Sequence, residues 1–187
     1  MRRSTFGAGT ALLIVLALPG SPSAAGLTAS GGATCTIVGT GHRDHLVGTP
    51  GDDVICGRGG RDLLRGRGGQ DIVRGGGGDD SIEGGYGSDV LQGGPGDDMV
   101  LGDGGADELR GRRGWDRLEG ADGHDVFAGG GGTDCLASKD GVRDHLNGGP
   151  GQDWAYADRG HRGGPKDVLT NVEHTFPACP ERPVSVS

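Results

Sequence analysis

The sequence contains few of the residues from which an ordinary globular core is built. Only 4% of its 187 residues are aromatic, whereas glycine occurs 44 times. No long apolar run follows Leu18, so the remainder of the chain predicts no membrane span. The 18 bases are outnumbered by 26 acids, which gives a net charge of −8. This balance disfavours nucleic acid and anionic membranes as partners and favours cations.

The sequence also lacks the motifs of common catalytic sites. It has no HExxH and no GxSxG, and its GxGxxG-like strings are not followed by a predicted helix. His42-Arg43-Asp44 imitates a kinase tripeptide without the other kinase elements. We therefore expect no enzyme.

What the chain has instead is a nine-residue repeat from Gly39 to Tyr156. Ten regular units, GTPGDDVIC to GGGGTDCLA, cover residues 48–137. GTGHRDHLV precedes them, and the ten-residue SKDGVRDHLN and then GGPGQDWAY follow. Position six is aspartate in all thirteen units: Asp44, Asp53, Asp62, Asp71, Asp80, Asp89, Asp98, Asp107, Asp116, Asp125, Asp134, Asp144 and Asp153. Position eight is large and apolar in every unit except the last.

The pattern G-G-x-G-x-D-x-U-x, with U large and apolar, resembles the repeats-in-toxin (RTX) calcium-binding nonapeptides. The resemblance covers roughly two thirds of the chain. It implies an all-β fold, a right-handed parallel β-roll (β-solenoid) of about thirteen nonapeptides, two per turn, with short end caps. It also implies calcium ions between glycine-rich loops stacked on the same side, with the thirteen aspartates as ligands.

The residue types favour the same fold on physical grounds. A short strand at positions seven to nine would point only position eight inward. Glycines at positions one and four would permit positive φ in the six-residue loop between strands. Units of the same parity would then stack, so that the aspartates form two columns. A glycine-rich disordered linker predicts neither the fixed phase nor the apolar eighth position, and a solenoid without calcium has little use for aspartate columns.

Calcium binding and folding are expected to be one event. Calcium takes about six to eight oxygen ligands, which one loop cannot supply and two stacked loops can. Each unit buries one large apolar side chain, which contributes about 1.5–3 kcal/mol, whereas ordering its backbone costs about 1–2 kcal/mol per residue. The sequence therefore predicts an unstructured chain without calcium and a rigid roll with it.

The ion sites are expected to be unequal, because some units depart from the pattern. Tight sites are predicted along Asp53, Asp71, Asp80, Asp89 and Asp98, where loop glycines are kept and Asp52, Asp79 and Asp97 add second carboxylates. Weak or empty sites are predicted near Asp44, Asp116 and Asp144, whose units carry His42, the bulky Arg113 and Trp115, and one extra residue, respectively.

Four segments divide the chain. Residues 1–25 have two arginines, an apolar stretch and a small-residue cleavage site, which are typical of a secretory signal peptide. Residues 26–38 are predicted to form an N-terminal cap strand, 39–156 the β-roll, and 157–187 a degenerate C-terminal cap and tail. Asp167 lies in a unit-like segment of this tail and is a candidate vestigial ligand. The expected location is extracellular, without a membrane anchor.

An export signal and four cysteines predict disulfides. Three pairings exist for four cysteines. Because a solenoid frays from its termini, we predict one bond at each end, Cys35 with Cys56 and Cys135 with Cys179.

The sequence thus predicts a secreted, non-enzymatic protein that binds several calcium ions. The alternative is a calcium-gated structural or adhesive scaffold for a cell-surface or matrix partner. The array's aromatics other than Phe127 share no repeat position, which weakens that alternative without removing it; they are Tyr86, Trp115, Trp154 and Tyr156. The basic cluster Arg58, Arg65, Arg67 and Arg74 is interpreted as charge compensation, with a patch for acidic polymers as its alternative.

Overall fold

The described part of the chain is built from strands alone. The computed structural model describes residues 33–138, 140–157 and 167–175, and these contain sixteen strands and no helix. Across those residues, accordingly, no helix is long and apolar enough to span a bilayer. The predicted signal peptide lies outside the described residues.

The strands form two parallel eight-stranded sheets that alternate along the chain. The odd sheet contains β1 (Ile37–Val38), β3 (Val54–Gly59), β5 (Ile72–Gly77), β7 (Val90–Pro95), β9 (Glu108–Gly114), β11 (Val126–Gly132), β13 (His145–Asn147) and β15 (Val168–Thr170). The even sheet contains β2 (His45–Val47), β4 (Leu63–Gly68), β6 (Ser81–Tyr86), β8 (Met99–Gly104), β10 (Arg117–Asp122), β12 (Cys135–Ala137), β14 (Trp154–Tyr156) and β16 (His174–Thr175).

Each turn of the chain contributes one strand to each sheet. Ile55 pairs with Val73 in the odd sheet, and Leu64 pairs with Ile82 in the even sheet, so partners lie two nonapeptides apart. This register makes the molecule an all-β parallel solenoid of two units per turn, as the repeat predicts.

One column of position-eight side chains fills the space between the sheets. All of its members are at most 5% exposed: Ile37, Leu46, Ile55, Leu64, Val73, Ile82, Leu91, Val100, Leu109, Leu118, Phe127, Leu136, Leu146 and Ala155. Ile37 belongs to a turn that precedes the first recognised unit, and its strand pairs with β3. The apolar core is therefore one residue wide and as long as the roll.

Most strands are longer than the three residues, positions seven to nine, that the repeat pattern predicts. In the middle of the roll each strand continues from positions seven to nine into positions one to three of the next unit, as in Val54–Gly59. The turn between strands is then three residues, not six. Pairing continues because the position-one glycines have no side chain: a Cβ on Gly57 would lie within 3.0 Å of the Gly75 carbonyl oxygen.

The longer strand also changes which positions face inward. Alternation along the chain places positions six, eight and one inside, and Asp62, Leu64 and Gly66 are accordingly all buried. The expectation that position eight alone faces the interior was wrong, because it treated the aspartate as part of an open loop.

The roll absorbs one insertion and continues beyond the last regular unit. The ten-residue unit changes the spacing of partners to nineteen residues, as for Phe127 and Leu146, without breaking strand pairing. Its extra residue is accommodated in the loop, where the Asp140 carboxylate accepts hydrogen bonds from the backbone N–H groups of Gly123 and Val142, both at 2.8 Å. Strands β15 and β16 then extend each sheet past Tyr156.

A disulfide joins Cys35 to Cys56 at the N-terminal end of the roll, with Cα atoms 6.0 Å apart. This bond is the N-terminal pairing that the sequence predicts. Cys135 is fully buried, and its predicted partner Cys179 lies outside the described residues, so the second bond stays a prediction.

Candidate metal centre

The position-six aspartates form two hydrogen-bonded ladders. In each ladder, the backbone N–H of one aspartate donates to Oδ1 of the aspartate one turn later, as from Asp62 to Asp80 at 2.8 Å. Ladder A contains Asp44, Asp62, Asp80, Asp98, Asp116, Asp134 and Asp153. Ladder B contains Asp53, Asp71, Asp89, Asp107, Asp125, Asp144 and Asp167. The two columns predicted from unit parity are these two ladders.

Each ladder has one acidic rung beyond the thirteen units. Asp167 accepts from the N–H of Asp144 at 3.0 Å, so it occupies a full rung of ladder B. Glu173 accepts from the N–H of Asp153 at 2.7 Å and continues ladder A. Glu173 does not stand out in the sequence, because the spacing has drifted to twenty residues and glutamate replaces aspartate. The available signal was an acid directly before a short strand, His174–Thr175.

The second carboxylate oxygen, Oδ2, has no hydrogen-bond partner in ten rungs, although it is buried. These rungs are Asp62, Asp71, Asp80, Asp89, Asp98, Asp107, Asp116, Asp125, Asp134 and Asp153. Their residues are at most 3% exposed. Buried polar atoms in proteins are nearly always hydrogen-bonded. These ten repeated exceptions leave ten buried carboxylate oxygens available to a ligand.

The backbone of the same ten loops shares one unusual conformation at position two. Five of these residues are glycines and five are not, but φ is positive in all ten. The residues are Arg58, Arg67, Gly76, Gly85, Gly94, Asp103, Arg112, Ala121, Gly130 and Gly149. We call these ten loops, each with a left-handed position two and a free Oδ2, the open loops.

Left-handed φ was predicted at positions one and four. The structure places it at positions two and four, for example in Gly76 (φ 115°) and Gly78 (φ 117°). Position one requires glycine for a different reason, which is close approach. A Cβ on Gly66 would lie within 3.0 Å of both Asp71 Oδ2 and the Gly84 carbonyl oxygen. The absent side chain thus allows a carboxylate oxygen and a carbonyl oxygen from the next turn to lie close together.

Three rungs have a different arrangement, in which a local hydroxyl group satisfies Oδ2. Asp44 Oδ2 accepts from the N–H of Thr40 at 2.5 Å and from its Oγ1 at 3.0 Å. Asp53 Oδ2 accepts from the N–H and Oγ1 of Thr49 at 2.6 and 2.9 Å. Neither threonine has a positive φ. We call these the closed loops.

The third closed loop lies near the other end of the roll. Ser138 occupies position one of the ten-residue unit, and its Oγ donates a short hydrogen bond to Asp144 Oδ2. Its side chain therefore fills the space that glycine leaves empty in the other units. Both residues are buried, at 1% and 0% exposure.

The loop geometry does not follow the predicted ranking of calcium sites at two rungs, and the ranking itself stays a prediction. Asp53 was grouped with the tight sites, yet its loop is closed by Thr49. Asp116 was expected to be crowded by Arg113 and Trp115, yet its Oδ2 is free like those of its neighbours. The Arg113 side chain is exposed. The backbone N–H of Trp115 donates to Asp97 Oδ1, which is not a ladder carboxylate, at 2.8 Å. Asp44 and Asp144 were expected to be weak, and both loops are closed.

The position-five aspartates act on the backbone of the neighbouring turn. Asp79 Oδ1 accepts from the N–H of Asp97 at 3.1 Å, and Asp52 Oδ1 accepts from the N–H of Gln70 at 2.8 Å. They add negative charge beside the ladders, since Asp79 and Asp97 both raise the pKa of Asp98. Their hydrogen bonds place them outside the row of free Oδ2 atoms.

Burial raises the pKa of the ladder aspartates from Asp62 to Asp153 above the usual 3.8, and neighbouring acidic side chains raise it further. The hydrogen bond from the preceding rung opposes this rise. The pKa is about 6 for Asp71, Asp80 and Asp107, about 7 for Asp98, Asp125 and Asp134, and about 8 for Asp116. The ladders therefore resist full ionisation unless a positive charge lies beside them.

The arginines of the basic cluster do not all lie at the same position of the repeat. Arg58 and Arg67 are left-handed position-two residues. Arg65 lies on the even sheet, where its Nε is 3.0 Å from Glu83 Oε2 one turn later. This exposed pair is the kind of charge compensation that the sequence predicts, and such pairs contribute about 0–1 kcal/mol.

The oxygen atoms do not form a compact cage of side chains. Within the described ranges, no three acidic, histidine or cysteine side chains converge on one point. Each rung offers one free carboxylate oxygen, and the other nearby oxygens are backbone carbonyls, such as that of Gly84 beside Asp71 Oδ2. An all-oxygen donor set of carboxylates and carbonyls suits a hard cation, calcium above all.

The family comparison agrees with this geometry. The model of the RTX calcium-binding nonapeptide repeat matches in four copies, at residues 38–73, 74–109, 110–142 and 143–161. These segments follow one another without a gap and cover more than half of the chain. The chain belongs to the RTX calcium-binding repeat family. No curated protein matches it closely enough to add a specific role.

Membership in the RTX family accounts for both ladders together. RTX repeats bind calcium, and the ten free Oδ2 atoms are chemically suited to that ion. The residues that fit it are the aspartates of the open loops, with carbonyl oxygens of the adjacent turn. The three closed loops do not share this fit, because their Oδ2 atoms already accept local hydrogen bonds.

Proposed function

We propose that this RTX protein is a secreted, non-enzymatic calcium-binding β-roll that folds as calcium enters between its stacked loops. The observation that carries the proposal is the set of ten buried Oδ2 atoms without a hydrogen-bond partner. Each unsatisfied buried group costs about 1–3 kcal/mol, and more if it is charged. A fold that repeats this cost ten times is built to hold a compensating cation.

Calcium would supply positive charge to the ladders and ligand bonds to their free oxygens. The residues that would hold it are aspartates of consecutive rungs, such as Asp80 and Asp98, together with loop carbonyl groups. These two residues belong to adjacent turns, and the backbone N–H of Asp80 donates a hydrogen bond to Asp98 Oδ1 at 2.8 Å. A site of this kind exists only where two turns are stacked.

Folding and binding are coupled for this reason. The core is one residue wide, so apolar burial per turn is small, and the ladders bring carboxylates close together. An ion that binds only the stacked form stabilises it by the full free energy of binding. Filling one site orders the next turn, and the transition should be cooperative. The protein is then an order–disorder switch that responds to calcium.

Secretion is supported by the leader-like composition of residues 1–25, with Arg2 and Arg3 before the apolar stretch. The disulfide between Cys35 and Cys56 suits an oxidising compartment. Calcium is plentiful outside cells, so a roll that requires it would fold after export. A non-enzymatic role is supported by the repetitive site, in which the acids serve as ligands.

Circular dichroism of the mature chain, with its disulfides intact, tests the proposal. We expect a coil-like spectrum in chelator and a β-rich spectrum after calcium is added, with a steep, cooperative titration. Magnesium should be a poor substitute, because it demands a rigid six-coordinate geometry and keeps its waters. A β-rich, heat-stable spectrum in chelator would show that the roll does not depend on calcium.

A further inference from the structure

The threonine loops differ from the open loops in the partner of Oδ2 and in the backbone conformation at position two. In an open loop this atom is buried and free, and the residue at position two is left-handed. In the loops of Asp44 and Asp53, position two is threonine, and its N–H and hydroxyl both donate to Oδ2. Every loop with a left-handed position two has a free Oδ2, and neither threonine loop does.

We propose that Thr40 and Thr49 keep the first two loops free of metal, because their hydroxyl and amide groups occupy the carboxylate oxygen that calcium would bind. This inference rests on the proposed function and specifies which loops perform it. In the twelve nine-residue units, position two then decides whether the unit is a calcium site. Ser138 has the same effect on Asp144 from position one.

The hydrogen bonds in the threonine loops form a closed network. In the loop of Asp53, the N–H of Gly51 donates to Thr49 Oγ1 at 3.2 Å. Thr49 Oγ1 lies 2.9 Å from Asp53 Oδ2 and 3.2 Å from the Gly51 carbonyl oxygen, and its one proton is assigned to the nearer, charged acceptor. In the loop of Asp44, the N–H of His42 donates to Thr40 Oγ1 at 3.1 Å. Two donors already point at each Oδ2, so a cation at that oxygen would meet their positive hydrogens. Calcium could bind there only after both donors had moved.

The backbone explains why threonine and an open loop exclude each other. Opening the loop requires a positive φ at position two, which is unfavourable for a β-branched residue. Glycine adopts it without strain, as Gly76 and Gly85 do. Threonine therefore favours the closed form through both its hydroxyl group and its backbone preference.

The position of the two threonine loops gives them a role in the whole roll. Both lie between Cys35 and Cys56, the two ends of the disulfide. The first turn is thus held by a covalent bond and by internal hydrogen bonds, and needs no ion. It can serve as a preformed platform on which the calcium-dependent turns stack.

Native mass spectrometry of the intact mature protein, titrated with calcium alone, tests the inference by counting bound ions. In Thr49→Gly the loop of Asp53 should open, and we expect one additional calcium ion relative to the wild type. Thr49→Ser keeps the hydroxyl and is the matched control, with the wild-type count expected. The Cys35–Cys56 bond and the other loops remain in both variants, so both should keep the fold.

The reverse substitution tests the same rule in an open loop. Arg58 is the left-handed position-two residue of the loop of Asp62. Arg58→Thr should close this loop and remove one calcium ion, whereas Arg58→Gly should retain it. Circular dichroism in calcium confirms that each variant is folded before its ions are counted.

The outcomes separate this inference from the proposed function. A wild type that binds no calcium would contradict the function and this inference together. A wild type that binds calcium, with an unchanged count in Thr49→Gly, would overturn only the inference. Loss of an ion in Thr49→Gly would also overturn it, because the threonine hydroxyl would then be a ligand instead of a substitute for one.

Discussion

Glycine at position one is the residue on which the contact between turns depends most directly. Its backbone needs no positive φ, but its missing side chain leaves room for two oxygen atoms from different turns. On Gly66, a Cβ would lie within 3.0 Å of Asp71 Oδ2 and of the Gly84 carbonyl oxygen. One of these is backbone and cannot move without disturbing the sheet.

We therefore predict that Gly66→Ala destabilises the calcium-loaded roll by about 1–3 kcal/mol, the usual range for overpacking. Gly77→Ala is the matched control, because a Cβ there meets nothing within 4 Å and φ is not positive. Its effect should stay within about 0.5 kcal/mol. Denaturant unfolding in calcium measures both, and equal effects would show that close approach at position one is unimportant.

The ladder rungs show how one residue type can have opposite effects in two loops. Asp116 has a free Oδ2 in an open loop, and burial raises its pKa to about 8. Asp53 has an Oδ2 that accepts two hydrogen bonds from Thr49. The first carboxylate is unfavourable without an ion, whereas the second is satisfied by the chain itself.

Replacement by asparagine should reveal this contrast. Asp116→Asn removes a buried carboxyl group whose ionisation is unfavourable without an ion, so we expect it to stabilise the calcium-free roll and to weaken calcium binding. Asp53→Asn places an amide beside two donors and should destabilise the protein by about 1–3 kcal/mol whether or not calcium is present. Thermal unfolding in chelator and in calcium measures both variants. The same sign for the two variants in chelator would contradict the distinction between open and closed loops.

At the scale of the element, the sequence predicted the arrangement of strands well because the pattern repeats. The RTX resemblance implied the parallel turn of two units, the nine-residue period with its apolar eighth position supported it, and unit parity gave the ladders. Strand length was predicted less well, since a run such as Gly57-Arg58-Gly59 has no strand propensity of its own. Those residues pair only because the neighbouring turns supply the partners.

The sequence predicted the residues of the candidate site but not the differences between its loops. The thirteen aspartates follow from the period, whereas the closed state of the Asp53 loop depends on the φ of Thr49 and on where its hydroxyl points. The available signal was the β-branched threonine at position two, and the glycine and aspartate pattern does not distinguish that position. Glu173 was missed for a related reason, because its place in ladder A is set by strand pairing after the spacing has drifted.

At the scale of the whole molecule, the raised pKa values make the calcium-free roll sensitive to pH. Several ladder aspartates have pKa values of about 6 to 8 in the folded chain, against 3.8 in the unfolded chain. The folded chain therefore binds more protons than the unfolded chain at a pH between these values. Stability from protonation is then fully present below about pH 4 and is lost as pH rises through 6 to 8. Calcium acts in the opposite direction, because its carboxylate ligands must be deprotonated.

In calcium-free buffer we therefore expect β-structure and the melting temperature to increase as pH falls from 8 to 5. With calcium present, the stabilisation by the ion should be greatest near pH 8 and should decrease towards pH 5. Circular dichroism melts at both pH values, with and without calcium, measure the effect. A calcium-free roll that loses structure on acidification would contradict the sign derived from the ladders.

The near-identity of successive turns creates a problem of register that the irregular units resolve. If one sheet slipped by a full turn, aspartates would still meet aspartates, and apolar residues would still meet apolar residues along most of the roll. Val38 would then face Arg74 in place of Cys56, and Cys35 would lose its partner. The ten-residue unit would likewise move its extra residue opposite a regular loop. These apparent defects make the native alignment the only one in which every unit is matched.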